Sequence, residues 1–284
     1  MLDPSWALTR PLLWLALAAL LAVLVLRAIH RDRREYRRFK AFSGTAERQR
    51  MLRKWLLESF LQFGGLSAAL LLLAGFAVGP LLQQLTGWPG VRELRGLLIH
   101  EPGVSWSVLF GVIIALVVLT VIGARAARKE QDVPMIGDIS AMLPRNRQEL
   151  VLGALLSVNA GVVEELMFRL ALPALIYGAS GSALAAVLGS VLLFGALHVY
   201  QGIPGVIGTT IVGAILMLLY AVSGTIVVPI VVHALFDLRS LVLIPVAVYG
   251  VHRVLPDPPL STPSLPDSPV PTPASPVPTE PPLG

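Results

Sequence analysis

The chain has 284 residues, 55% hydrophobic and only 14% charged, with a mean hydropathy of +0.75, a formal net charge of +5 and a pI near 10.0. Such a composition is far more apolar than that of a soluble domain and marks a polytopic membrane protein, and the basic residues flank apolar spans instead of forming a basic domain, so no nucleic-acid partner is expected. The absence of cysteine excludes disulfides, a thiolate nucleophile and Cys-based metal sites, which leaves chemistry to Glu, Asp, His, Ser or Thr.

In chain order, Pro11 to Ile29 is the first apolar span, with Trp6 and Trp14 near its start as interfacial aromatics. Its basic cluster follows the apolar core, so it reads as an uncleaved anchor and not as a signal peptide. His30 to Lys54 carries ten Lys or Arg and reads as a solvated cytoplasmic juxtamembrane loop, with contact to anionic lipid as the functional alternative. A second span runs from about Trp55 to Leu82, an external loop from Gln83 to Gly103, and a third span from about Val104 to Gly123. The next loop, with Arg125, Arg128, Lys129, Arg145 and Arg147, is cytoplasmic again. Fifteen Lys or Arg thus lie on the inner side and three, Arg10, Arg92 and Arg95, on the outer.

From Gln148 to Gly250 the chain is nearly all membrane. A fourth span ends near Gly178, a fifth reaches Tyr200, a sixth covers about Val206 to Val222, and a seventh starts near Thr225. The expected fold is all-α, a polytopic helical membrane protein of about seven transmembrane helices, with the N-terminus outside and the C-terminus cytoplasmic. An eighth arises if Pro173 splits the fourth span or Pro245 the seventh. Three regions follow: 1–147 with three spans and basic loops, 148–252 as the membrane core, and 253–284 as a disordered Pro-rich tail of PPII character. No internal repeat is evident, which disfavours an inverted-repeat transporter.

Ionisable side chains are few in the later spans, where each central charge costs a few kcal/mol or more. They are Glu164, Glu165 and Arg169 in E-E-L-M-F-R, His198 in F-G-A-L-H, and His233, Asp237 and Arg239 in H-A-L-F-D-L-R. Glu165 and Arg169 are four apart and pair along one helix face, which leaves Glu164, about 100° round, without a local partner. His233 and Asp237 share a face for the same reason, as do Phe194 and His198. The least costly arrangement in lipid turns the three polar faces toward one another. Asn159 and Gln201 read as interhelical glue and cavity rim, while His30, His100 and His252 lie at span ends or in loops.

Glu164 and His198 together have the chemistry to deprotonate a shared water for attack on a peptide carbonyl. His233 as an N–H donor, with Asp237 as its neighbour, has the chemistry to stabilise the oxyanion. The same four side chains make an equally reasonable ligand set for a divalent metal.

The order E-E-x-x-x-R, F-x-x-x-H, H-x-x-x-[N or D], each on its own hydrophobic segment, resembles the CaaX-protease and bacteriocin-processing family of intramembrane endopeptidases over about Gln148 to Gly250. The resemblance implies a membrane protease, in a bacterial cell membrane, acting on membrane-associated peptide or protein substrates. Glu164 and His198 would activate water, His233 and Asp237 would form the oxyanion site, and Glu165 and Arg169 would be positioning members of the first motif. It implies no cofactor on the glutamate-dependent reading, and a metal such as zinc on Glu164, His198, His233 and Asp237 on the other. Where prenyl-protein processing members carry asparagine, this chain has Asp237; an ionised Asp cannot donate to an oxyanion, so it is held protonated, orients His233 or ligates a metal. A non-catalytic immunity or scaffold protein and a proton-coupled transporter using Glu164, His198 and Asp237 are the rival classes.

Overall fold

A computed structural model of the protein describes residues 2–100, 114, 118, 121–122 and 138–254. Helices α1 (Thr9–Ala41) and α2 (Thr45–Thr86) are followed by a shorter α3 (Pro89–His100), then α4 (Arg147–Ser180), α5 (Ala183–Leu197), α6 (Val199–Ser223) and α7 (Val227–Tyr249). No strand occurs among the described residues, and five helices, α1, α2, α4, α6 and α7, are long and apolar enough to cross a membrane. The sixth apolar helix, α5, has only 15 residues. The fold is therefore the expected all-α polytopic membrane protein. Most of the expected span at Val104–Gly123, and the Pro-rich tail from residue 255 on, lie outside the described residues.

Helix α1 shows how sequence spacing becomes packing. Leu13, Leu17, Leu20 and Leu24, spaced as one face of a helix, are buried and join Leu172, Leu175 and Ala179 of α4 in the largest apolar cluster. Trp14, Leu15, Val25 and Leu26 on the other faces are exposed, as suits a surface turned to lipid. The basic stretch His30–Lys54 is helical rather than a loop, because α1 runs on to Ala41 and α2 restarts at Thr45. The Gln83–Gly103 segment likewise carries α3, from which Arg95 donates through Nη1 to the carbonyls of Val222 (2.7 Å) and Ala221 (3.3 Å), meeting the free acceptors at the end of α6.

Neither proline splits its helix, so the eighth span does not arise. Proline removes one N–H from the ladder, and a wider turn just ahead of each absorbs the loss. In α4 the turn Leu166–Ala171 is π-helical, with the Leu172 N–H reaching back five residues to the Met167 carbonyl ahead of Pro173. In α7 the turn Arg239–Leu243 does the same, Ile244 N–H meeting the Arg239 carbonyl ahead of Pro245. Further π-helical turns occur at Ala28–Asp32 and Phe60–Gly64.

Two devices hold α4 in place. At its start, Arg48 of α2 and Glu149 are both fully buried and paired: Arg48 Nε and Nη2 donate to the carboxylate at 3.1 Å, and its Nη1 and Nη2 also donate to the carbonyls of Ala141 (3.0 Å) and Leu143 (3.1 Å). The Arg145 N–H donates to the same carboxylate, and Asn146 caps the helix by accepting from the Glu149 N–H, both at 3.0 Å. Further along, Gly161 lets α7 come close, since a Cβ there would stand 2.9 Å from both the Cβ and the backbone N of Ala234.

Two outcomes follow. Arg48→Met leaves Glu149 buried without its cation and should lower unfolding stability by about 3–5 kcal/mol, read from the thermal midpoint of the purified protein. Gly161→Val overpacks the α4–α7 contact and should cost about 1–3 kcal/mol, whereas Val162→Ala on the exposed side of the same turn should be near neutral.

Candidate active site

The close α4–α7 contact sets the site. Glu165 is fully buried on α4, and its Oε1 accepts from Nδ1 of His233 on α7 at 2.7 Å. Its Oε2 stands 2.9 Å from Nε of the buried Arg169, an ion pair whose alignment falls short of a hydrogen bond. The Arg169 guanidinium lies over the Phe194 ring at 4.8 Å, and its Nη2 donates to the Gly213 carbonyl at 3.3 Å. A Cβ at Gly213 would come within 2.8 Å of that ring, so only glycine leaves room for Phe194 there. The expected Glu165–Arg169 pairing is present, together with a bond to His233 that the helix pattern alone could not reveal, because it depends on how α4 and α7 meet.

With Glu165 committed, Glu164 turns into a cavity of about 530 Å³ that His198, His233 and Asp237 also line. Glu164 is half-buried. His198 caps the end of α5, and its Nδ1 lies 2.8 Å from the Phe194 carbonyl. A carbonyl only accepts, so Nδ1 carries the proton and Nε2 keeps a free lone pair. His233 Nε2 faces Asp237 Oδ2 at 3.8 Å, close enough for electrostatic contact and too far for a hydrogen bond. Phe194 ties the two imidazoles together, its centroid 4.9 Å from that of His198 and 6.1 Å from that of His233.

The remaining wall comes from unexpected places. Arg27, Asp32 and Tyr36 of α1, Trp55 and Ser59 of α2, and Ile139 and Met142 of the segment before α4 all line the cavity. Tyr36 donates through its hydroxyl to the Asp138 carbonyl, and its ring meets that of Tyr200 edge-on at 5.3 Å. No hydropathy pattern pairs a Tyr at the end of one basic helix with a Tyr after a distant apolar one; only the charge-bearing neighbours Arg27 and Asp32, set within α1, hinted at a polar wall. Gln201 lines the cavity and Asn159 donates to Ser59 Oγ across α2 and α4, the rim and interhelical-bond roles expected of them.

Among the described residues no three His, Asp or Glu side chains stand together as a metal-binding group, and His233 Nδ1 is already bonded to Glu165. What the arrangement offers is a helical membrane site with an acceptor imidazole, a carboxylate, and an imidazole braced from behind, the layout of a hydrolytic centre. Residues 146–239, about a third of the chain, match the family described as "Type II CAAX prenyl endopeptidase Rce1-like", which bears out the resemblance carried by the three motifs. That family is one of CAAX-type proteases. Comparison with curated proteins and with solved structures gave no match.

Glu165→Gln keeps shape but leaves Arg169 buried without a counter-charge, and should lower stability by about 3–5 kcal/mol. Adding Arg169→Met should recover much of that loss, and a double-mutant cycle on thermal midpoints measures the coupling.

Proposed function

We propose that the chain is an intramembrane endopeptidase that hydrolyses peptide bonds of membrane-associated peptides or proteins with a water activated by Glu164 and His198. The observation that carries this reading is that Glu164, His198, His233 and Asp237, from three separate helices, line one cavity in which His198 Nε2 is free to accept a proton. The water oxygen attacks the scissile carbonyl carbon while its proton passes to Glu164 or His198. The same proton then goes to the leaving amine as the C–N bond breaks. His233, bonded through Nδ1–H to Glu165, offers Nε2–H to the oxyanion as an imidazolium, and Asp237 orients it or donates in protonated form. The reaction needs no metal on this reading. Arg27, Asp32 and Tyr36, which line the cavity, adjoin the basic extension of α1, and the positive-inside rule supports a site on the cytoplasmic side, with the N-terminus outside and the C-terminus inside.

The purified full chain in liposomes, supplied with a prenylated peptide ending in a CaaX sequence, tests the assignment. Glu164→Gln should keep the fold and lose about 10²- to 10⁴-fold in kcat/KM. Asp237→Asn should retain most activity and be indifferent to chelators; collapse of activity, mimicked by chelators and restored in part by Zn²⁺, would instead identify a metal centre. A Glu164→Gln protein that cleaves as well as the parent removes Glu164 from the mechanism, and a parent chain that cleaves no such peptide leaves the scaffold role.

A further inference from the structure

A carbonyl oxygen that gains charge in this cavity needs preorganised donors, and the four proposed catalytic side chains supply few. His233 has given one nitrogen to Glu165. Glu164 and Asp237 bring acceptors when ionised. His198 spends its N–H on the Phe194 carbonyl, and the guanidinium of Arg169 is held behind the Phe194 ring.

Tyr200 lines the same cavity. Its oxygen accepts a hydrogen bond from Gln201 Nε2 at 3.0 Å, its one such contact among the described residues, so the phenolic O–H remains available to donate. The ring is fixed on two sides, by the Tyr36 edge at 5.3 Å and by the His198 ring at 5.9 Å. The backbone of the next residue is pinned as well, since the Asp138 N–H donates to the Gln201 carbonyl at 2.9 Å while Tyr36 holds the Asp138 carbonyl. Glu164 and Asp237 line the same cavity and are both near enough to act on the phenol electrostatically. A neutral O–H beside two carboxylates is a donor that needs no extra charge to be buried.

We propose that the Tyr200 hydroxyl is the second oxyanion donor of this site, acting beside His233; the inference rests on the hydrolytic reading above. It makes α1 and the segment before α4, both outside the matched family region, part of the apparatus that positions a catalytic group. With its oxygen accepting from Gln201, the phenol keeps its proton free for the oxyanion that forms when the carbonyl carbon of a bound peptide turns tetrahedral.

Tyr200→Phe removes one oxygen and keeps the ring contacts. With the prenylated CaaX peptide in liposomes, kcat should fall about 10²-fold while KM stays within about threefold, the signature of an interaction made only in the transition state. A peptide aldehyde of the same sequence, whose hydrate mimics the tetrahedral intermediate, should bind more weakly by a similar factor, whereas the cleaved product peptide should bind as before. The thermal midpoint should stay close to that of the parent. If kcat falls but aldehyde affinity does not, the hydroxyl acts through Glu164 or Asp237 and the proposal is overturned. If Glu164→Gln abolishes cleavage while Tyr200→Phe retains parental kcat and aldehyde affinity, the Tyr200 assignment alone falls. A parent chain that cleaves no such peptide defeats the hydrolytic reading and this inference with it.

Discussion

A carboxylate with no exposed surface, placed between two membrane helices, governs this structure. Glu165 is 0% exposed, Arg169 1% and His233 6%. A charge in such a place is stable only if its partners are held at hydrogen-bonding range, and this fixes both the rotation of α4 and its register against α7. The small residues follow from that demand: Gly161 permits the approach to Ala234, and Gly153 a similar approach to Leu241. Once Glu165 points at His233, its neighbour Glu164 must face the adjoining space, and Asp237, one turn on from His233, must face it too. The proposed catalytic groups are thus placed by a residue that does not itself line the cavity.

The cavity exists because the helices around it are locally widened. Each of the four π-helical turns among the described residues contributes to its lining, through Asp32, Phe63, Phe168 and Ser240. A π turn inserts one residue into the 3.6-residue period, so the face presented after it differs from the face before it. One helix can then show a polar face to the site and an apolar face to its packing partners. In α4 the polar trio ends inside such a turn, and Leu172, Leu175 and Ala179 beyond it join the apolar cluster with α1.

Much of this was legible in the chain because membranes simplify reading. Charges are so costly in apolar spans that Glu164, Glu165, Arg169, His198, His233 and Asp237 stood out from their surroundings, and helical spacing alone paired Glu165 with Arg169. Spacing could not show that Glu165 also serves His233, since that bond depends on a contact between helices 68 residues apart in sequence. The basic cluster misled in a different way: its charges marked a side of the membrane, but Tyr36 and Phe39, buried on one face of the same stretch, are what keep it helical and bring α1 to the site. Pro173 and Pro245 suggested breaks because sequence cannot show a π turn taking up the missing hydrogen bond.

Helix α5 has 15 residues and so spans about 22 Å, against a hydrocarbon layer about 30 Å thick. A bilayer that meets its outer face, where Leu184, Leu188 and Leu192 are exposed, can match it by thinning several ångström. Because α5 stops at His198, such thinning on that side would bring headgroups and water toward the imidazole. The hydrolytic water of the proposed reaction then reaches its base without crossing acyl chains, and a substrate backbone can enter from the same depression. Host-membrane thickness thereby becomes a parameter of the site: thin bilayers accommodate the short helix as it stands, and thick ones oppose the very indentation that wets it.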